Sequence, residues 1–266
     1  MLKWCNAQRT GKESKMLQGK RGLVIGVAND RSIAFAAAKM AKEQGAEVVA
    51  TCLNDKARGY VEPVTAPLGI ALLNLNVEEP GAIEAVIEEA VGILGGLDFV
   101  VHSIAFAPLE DLHGPLHASS AEGFQQAINI SCHSFIQVAH CAKLHLSDGG
   151  ALITMTYLGS QLAVPNYGLM GPVKAALESS VRYLAAELGE SNIRVHAVSP
   201  GPIATRAASG IKDFDQLMRA VETRVPLKRL VTQDEVAGLV SFLASEFATG
   251  MTGQTMYVDC GEHMVP

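Results

Sequence analysis

Short apolar runs alternate with longer segments of helical periodicity along most of the chain. This alternation is typical of a parallel sheet whose two faces are covered by helices. It predicts a single doubly wound α/β domain with a seven-stranded parallel sheet. Strands are predicted at residues 22–26, 47–52, 70–75, 97–102, 151–156, 193–198 and 255–258, and helices at residues 32–44, 80–94, 122–146, 168–188 and 233–244.

The loops that follow the predicted strands are expected to meet at one edge of the sheet. Right-handed crossovers place the carboxyl end of every parallel strand on the same side, where open α/β folds bind ligands. No repeat or low-complexity linker divides the chain, so we predict one domain over residues 16–266, preceded by a tail of residues 1–15. Functional residues are therefore expected in the loops at residues 26–33, 52–55, 75–77, 102–107, 156–167 and 199–206.

Composition and charge restrict the kinds of partner. Of the 266 residues, 48% are hydrophobic, and the formal net charge of −6 argues against a nucleic-acid surface. The five cysteines form no Cys-x-x-Cys pair, so they predict neither a disulfide framework nor a zinc site. Glycine, proline and amide residues interrupt the long uncharged stretch of residues 149–173, and residues 1–15 lack the apolar core of a secretory signal. We predict a cytoplasmic protein with a small-molecule partner, without a metal or a membrane segment.

The first loop at the predicted sheet edge resembles a phosphate site. A strand ends at Gly26, and a helix begins near Ile33. Gly26 would let the backbone approach a pyrophosphate, and Ser32 would cap a helix whose N-terminus favours negative charge. The usual Gly-x-Gly-x-x-Gly pattern is absent, so a tight turn with an ordinary helix cap explains this loop equally well when it is taken alone.

The next two loops bear on the choice of cofactor. In dinucleotide-binding folds an acid after the second strand bonds the ribose, whereas an arginine or lysine there accepts a 2′-phosphate. No basic residue follows Leu53 immediately, which favours NADH as the cofactor. Lys56 and Arg58 lie just beyond, so NADPH remains an alternative. Asn76 and Val77 follow the third strand. The Asn76 amide would bond the adenine edge there, or it would be a surface turn residue.

Two further loops are predicted to lie beside the nicotinamide of a Rossmann-like site. Ser103 and Ile104 follow the fourth strand and would run their backbone past the nicotinamide ribose. Residues 199–203, Ser-Pro-Gly-Pro-Ile, form a rigid turn after the sixth strand, and the backbone of Ile203 would bracket the carboxamide.

Residues 156–175 carry the candidate reactive groups. Tyr167 lies seven residues before Lys174, and Tyr157 lies ten residues before Tyr167. Positions seven apart return to the same face of a helix, which predicts that Tyr167 faces Lys174. Pro172 lacks an amide, so a helix that starts near residue 171, with Tyr167 in the preceding loop, also remains open. Met170 stands four residues before Lys174, where most short-chain dehydrogenases carry their tyrosine.

This Tyr-x6-Lys pattern with an upstream tyrosine resembles bacterial enoyl-acyl-carrier-protein reductases, a divergent branch of the short-chain dehydrogenase/reductase family. Segments 26–34, 102–108, 201–205 and 207–214 agree with that branch in order and spacing, and the resemblance covers residues 17–261. It implies an NADH-dependent homotetramer. The implied reaction is reduction of the carbon–carbon double bond of trans-2-enoyl-acyl-carrier-protein thioesters in fatty-acid biosynthesis.

The resemblance also implies a role for each reactive residue. Hydride transfer to the β-carbon pushes negative charge onto the thioester oxygen, and one preplaced donor at that oxygen is typically worth about 3 kcal/mol. That donor would be Tyr167. Lys174 would hold the nicotinamide ribose and add positive potential, and Tyr157 would help to position the thioester.

Small and apolar residues are expected to line the acyl site, under a lid formed by residues 204–229. Basic side chains near this lid are expected to meet the acidic carrier protein. The predicted substrate contacts are Ala105, Phe106, Ala107, Tyr157, Met170, Ala207 and Ile211. The candidate basic residues are Lys212, Arg219, Arg224, Lys228 and Arg229.

Two other functions remain as alternatives. A carbonyl or alcohol oxidoreductase of the short-chain dehydrogenase type would use the same scaffold, but Met170 in the ordinary tyrosine position argues against it. A non-catalytic dinucleotide-binding regulator would bind NADH without turnover, and the presence of both Tyr167 and Lys174 argues against that.

Overall fold

A computed structural model describes residues 15–146, 149–205 and 211–265 of the chain. Seven strands form one parallel sheet in the order β3-β2-β1-β4-β5-β6-β7, which confirms the predicted fold class. Each predicted strand boundary lies within two residues of the observed one. The strands are β1 (Arg21–Ile25), β2 (Glu47–Cys52), β3 (Ala71–Asn74), β4 (Phe99–His102), β5 (Gly150–Met155), β6 (Ile193–Pro200) and β7 (Thr255–Val258).

Helices cover both faces of the sheet. One apolar cluster joins α1, α2 and α9 to the sheet, and a second joins α3, α5, α6 and α7 to the opposite face. The helices are α1 (Ile33–Glu43), α2 (Asp55–Thr65), α3 (Ala82–Leu94), α4 (Leu109–His113), α5 (Ala121–Ile128), α6 (Ser134–Lys143), α7 (Met170–Leu188), α8 (Phe214–Arg224) and α9 (Gln233–Ala244). Most of the predicted tail lies outside the described residues, but Leu17 is already fully buried.

Small residues pack the first strand and helix closely together. Helix α1 buries alanines, among them Ala34, Ala37 and Ala38, against the sheet. Gly22 on β1 lies beneath the Phe99 ring, where a Cβ atom would stand 2.1 Å from the nearest ring carbon. This close packing brings α1 and the Phe99 ring tightly against the sheet.

The helices differ from the prediction in two ways, because α2, α4 and α8 lie where no helix is predicted and one predicted helix is divided. Helix α2 was not predicted, because Gly59 and Pro63 interrupt its sequence and only Val61 and Thr65 are buried. It begins at a local cap, in which the Asn54 side chain accepts a hydrogen bond from the chain three residues on. The predicted helix at residues 122–146 is divided, because α5 and α6 are separated by one wide π-helical turn at Asn129–His133. Such turns are often found at functional sites.

Over the described ranges, no helix has the length and apolar composition needed to cross a bilayer. Within the same ranges, no three His, Cys, Asp or Glu side chains are grouped so that they could hold a metal ion.

Candidate active site

The loops after β1, β4, β5 and β6 line one cavity of about 230 Å³ at the carboxyl edge of the sheet. It brings together most of the residues that the sequence predicted. These are Gly26, Ser32, Ile33, Ser103, Ile104, Ala105, Phe106, Ala107, Tyr157, Tyr167, Met170, Lys174, Ile203 and Ile211. Leu53, Asn76 and Val77 lie outside this lining, after β2 and β3, and Ala207 falls outside the described residues.

The start of α1 presents free amides to the cavity. The Ser32 hydroxyl accepts a hydrogen bond from the Phe35 amide (3.2 Å) and donates one to the Asn29 carbonyl (2.8 Å). The amides of Ile33 and Ala34 have no acceptor within the helix, and they lie at the positive end of its dipole. These donors fit the pyrophosphate of a dinucleotide.

The structure shows a further requirement for glycine at residue 26, beside the predicted approach to a pyrophosphate. Its φ of +101° lies in the region that favours glycine, and a Cβ atom there would stand 2.4 Å from the Ser103 carbonyl oxygen. The absence of a side chain therefore lets β1 and the loop after β4 come together, which shapes the cofactor end of the cavity.

The loops after β2 and β3 form the predicted adenosine end. The Asn76 side chain donates to the Glu79 carboxylate (3.2 Å) and accepts from the Glu78 amide (3.2 Å), so it stabilises its own turn. The Arg58 side chain is held by Asn74 (3.3 Å) and by Glu62 (3.5 Å). No arginine or lysine follows β2 directly, where a basic side chain would bind a 2′-phosphate. The loop after β2 therefore fits a ribose with a free 2′-hydroxyl.

The wide turn between α5 and α6 holds the predicted substrate loop. It turns Ser131 inward, where the side chain is fully buried. The Ser131 hydroxyl accepts a hydrogen bond from the Phe106 amide (2.9 Å) and donates one to the Phe106 carbonyl (3.0 Å). Both backbone groups of Phe106 are thereby fixed, and no local sequence pattern predicts this contact.

Lys174 lies on the first turns of α7, with only 4% of its surface exposed. Its ammonium donates a hydrogen bond to the Met155 carbonyl at the end of β5 (2.8 Å). An ammonium carries three donors, so two remain for a ligand in the cavity. Burial lowers the pKa of Lys174 to about 8, which leaves it mostly protonated at neutral pH.

Tyr167 reaches the cavity from a loop. Helix α7 begins at Met170, and Pro172 sits in its first turn, where the missing amide costs nothing. The prediction that Tyr167 and Lys174 share a helix face is therefore wrong, and the second placement that the sequence left open is the observed one. The two side chains nevertheless line the same cavity.

The two candidate tyrosines pack against each other. The rings of Tyr157 and Tyr167 meet edge to face, with centroids 4.9 Å apart and planes at 69°. Burial raises the pKa of both phenols, so both remain protonated and able to donate at neutral pH. A glycine supports the pair, because a Cβ atom on Gly159 would stand 2.3 Å from the nearest Tyr167 ring carbon.

A buried carboxylate holds the loop between β5 and α7. Glu178 accepts hydrogen bonds from the hydroxyls of Thr156 (2.8 Å) and Ser160 (2.6 Å) and a longer one from Gln161 (3.4 Å). These contacts fix the segment that carries Tyr157. The sequence did contain a signal for this residue, since Glu178 follows Lys174 by one helical turn and shares its buried face.

The candidate basic residues near α8 divide into two groups. Arg224 is paired with Glu262 (3.0 Å), Arg229 with Glu235 (2.6 Å), and the Lys228 ammonium bonds a backbone carbonyl. Lys212 and Arg219 are exposed, and neither forms an ion pair with another residue in the described part of the chain.

Comparison with known proteins gives consistent results. Residues 26–263 match the family described as enoyl-(acyl carrier protein) reductase. The chain is 40% identical over 251 residues to the enoyl-[acyl-carrier-protein] reductase [NADH] FabI of Rickettsia felis, covering 94% of this chain and 96% of that protein. It is 43% identical over 253 residues to enoyl-[acyl-carrier-protein] reductase [NADH] 1 of Rhizobium meliloti, covering 95% of this chain and 93% of that protein.

Solved structures agree with the sequence comparisons. The enoyl-acyl-carrier-protein reductase of Anaplasma phagocytophilum in complex with NAD superposes with a TM-score of 0.91 at 40% identity, covering 95% of this chain and 97% of that one. The Bacillus cereus enoyl-acyl carrier protein reductase with NADP+ and indole naphthyridinone gives a TM-score of 0.92 at 40% identity, covering 95% of this chain and 99% of that one. The chain belongs to the enoyl-acyl-carrier-protein reductase family of short-chain dehydrogenases/reductases.

Proposed function

We propose that this chain reduces the carbon–carbon double bond of trans-2-enoyl-acyl-carrier-protein thioesters with NADH, as a step of fatty-acid biosynthesis, and that Tyr157, Tyr167 and Lys174 form its active site. One observation carries the assignment of the site. The two phenols and the ammonium line the same cavity as the free amides at the start of α1. NADH, when bound, supplies the hydride that is added to the β-carbon of the enoyl group.

Tyr167 is the donor to the thioester carbonyl oxygen. Negative charge develops on this oxygen as the β-carbon is reduced, and a buried phenol beside it stabilises that charge more strongly than water would. Its raised pKa keeps the proton on the phenol at neutral pH, so Tyr167 is a hydrogen-bond donor rather than a phenolate.

Lys174 orients the cofactor and supplies positive potential. One of its N–H groups is bonded to the Met155 carbonyl, which fixes the ammonium at the end of β5. Its two other donors are available to the hydroxyls of the nicotinamide ribose. The same charge lies close enough to the cavity to stabilise the developing enolate.

The acyl chain lies against apolar surfaces on the other side of the cavity. Ala107, Met170 and Ile211 line this part, together with Phe106, whose backbone is fixed by Ser131. Helix α8 forms part of the substrate lid over residues 204–229. Lys212 and Arg219 are the basic side chains that meet the acidic carrier protein, since the other candidates are bonded within the chain.

The same family relationship leads us to propose a homotetramer that works in the cytoplasm. Size-exclusion chromatography with light scattering measures the oligomeric state directly. A mass of four chains is expected, and a stable monomer with full activity would contradict it.

The proposed reaction is tested by NADH oxidation with a crotonyl thioester. Turnover by the wild-type chain is expected, together with its loss in the double variant Tyr167→Phe, Lys174→Ala. Normal turnover by that double variant would remove the proposed site. A 3-ketoacyl thioester serves as the second substrate, and faster NADH oxidation with it would favour a carbonyl reductase instead.

A further inference from the structure

The C-terminal turn places a buried carboxylate beside Tyr157. Glu262 is 1% exposed, and its Oε1 accepts a hydrogen bond from the Arg224 guanidinium at the end of α8 (3.0 Å). Its Oε2 is buried and has no hydrogen-bond partner among the described residues. The Tyr157 hydroxyl is likewise buried without a partner within those residues. The interior therefore holds an unpaired phenolic donor and an unpaired carboxylate oxygen, and each group acts on the pKa of the other.

The turn that carries Glu262 is firmly built. The Asp259 carboxylate accepts hydrogen bonds from the amides of Gly261 (2.9 Å) and His263 (2.7 Å) and from the His263 ring (2.8 Å). That ring stacks on Tyr257 of β7, with centroids 4.2 Å apart. The backbone position of Glu262 is thus set by the hydrogen bonds of this turn.

The two groups interact electrostatically. The negative charge of Glu262 is, after burial, the largest cause of the raised pKa of Tyr157. Burial raises the pKa of Glu262, while Arg224 acts in the opposite direction. A buried carboxylate oxygen without a partner is stabilised by a phenolic O–H, since hydrogen bonds to charged acceptors are the stronger kind.

We propose that Glu262 is a positioning residue for the reaction, whose Oε2 accepts a hydrogen bond from the Tyr157 phenol while Oε1 remains bonded to Arg224. The hydroxyl of Tyr157 is then an anchor, and its ring acts on the substrate site. The ring packs edge to face on Tyr167, so the contact extends from α8 through Glu262 and Tyr157 to the proposed donor. The inference rests on the proposed function of this site.

The first test measures stability and does not depend on turnover. If the Tyr157 hydroxyl is bonded to Glu262, Tyr157→Phe leaves a buried carboxylate oxygen unpaired and lowers the melting temperature. If the hydroxyl has no partner, the same change removes an unsatisfied buried group and leaves the melting temperature equal or higher. The second result would overturn the proposal. This conservative substitution keeps the ring, so the variant is expected to fold.

The second test is a double-mutant cycle on kcat/KM for crotonyl thioester. Glu262→Ala is expected to lower kcat/KM about tenfold, a typical effect of losing a hydrogen bond to a charged group, without changing the KM for NADH. Glu262→Gln keeps one oxygen that can accept from the Tyr157 phenol, but its NH2 group then faces the Arg224 guanidinium, so it is expected to recover only part of the loss. In the Tyr157→Phe background, Glu262→Ala is expected to have little further effect. Independent, multiplicative effects, or equal losses in the Ala and Gln variants, would contradict the proposal.

A matched control separates this role from the general loss of an ion pair. Glu246 pairs with Lys20 (2.6 Å) near the opposite edge of the sheet, so Glu246→Ala removes an acid and an ion pair without touching Tyr157. Normal kinetics are expected for it. If the wild-type chain turned over neither thioester, the proposed function would fail, whereas normal turnover by Glu262→Ala would refute the positioning role alone.

Discussion

The two ends of the cavity are built in different ways. The cofactor end consists mainly of backbone: the free amides at the start of α1, the glycine at residue 26, and the Ile203 turn after β6. The reactive end consists of buried polar side chains, in which Lys174, Glu178 and Glu262 hold the loop, the helix and the C-terminal turn around two phenols. The cofactor end follows from where the strands and helices end. The reactive end depends on each buried side chain having its hydrogen-bond partner.

This difference predicts how the two ends respond to substitution. Removing a side chain at the cofactor end leaves the backbone donors in place, so the KM for NADH should rise only slightly. Removing a side chain at the reactive end either deletes the donor or leaves a buried group unpaired, so the loss of activity should be large. Four measurements follow from this comparison, beginning with the largest expected effect.

Tyr167→Phe is expected to lower kcat for crotonyl thioester about 100-fold, because loss of a single donor to a developing oxyanion typically has this size. The ring and its contact with Tyr157 are retained, so the KM for NADH should stay within twofold, roughly the scatter of a neutral substitution. Tyr60→Phe, an exposed phenol on α2, is the matched control with normal kinetics expected. A Tyr167→Phe enzyme with more than half the wild-type kcat would exclude Tyr167 as the donor.

Gly159→Ala tests the packing of the donor without changing any polar group. The new methyl would stand 2.3 Å from the Tyr167 ring, so the ring must move. Overpacking of this kind typically costs about 1–3 kcal/mol, and we expect kcat to fall about tenfold or more with NADH binding unchanged. In contrast, Gly92→Ala places a methyl in open space on α3 and should slightly stabilise that helix. Equal kinetics for the two variants would mean that the position of Tyr167 is not critical.

The same division explains what could be predicted from the sequence. The strands and the start of α1 were placed to within two residues, because apolar runs, Gly26 and the Ser32 cap are local signals. The proposed contact between Tyr157 and Glu262 joins distant parts of the chain, so no local sequence pattern indicates it. Tyr167 was first assigned to a helix face by its spacing from Lys174, but Pro172 sets the helix start three residues after Tyr167.

The pH dependence of the reaction tests the charge of Lys174. Its pKa of about 8 means that the ammonium is present below this pH and is lost as the pH rises through it. At saturating NADH we expect kcat/KM for crotonyl thioester to be about tenfold lower at pH 9 than at its plateau, since about one molecule in ten remains protonated one unit above the pKa.

A charge-retaining variant is the control for this profile. Arginine stays protonated throughout this range, so Lys174→Arg should be less active at neutral pH but should lose the decline above pH 8. The assignment of the decline to Lys174 would be refuted by an unchanged profile in Lys174→Arg.

The smallest effect is expected at the cofactor end, where one substitution tests most directly whether the two ends differ. Ser32→Ala removes the cap of α1 but keeps the amides of Ile33 and Ala34, so we expect a loss of about 1 kcal/mol in the free energy of unfolding and about a fivefold rise in the KM for NADH. Ser120→Ala removes the corresponding cap of α5, where the hydroxyl accepts from the Gly123 amide (2.9 Å), and should lower stability without changing that KM. A rise of more than about 100-fold for Ser32→Ala would exceed what a cap contributes. The cofactor end would then depend on a side chain as strongly as the reactive end does, because the Ser32 hydroxyl itself would bind the pyrophosphate.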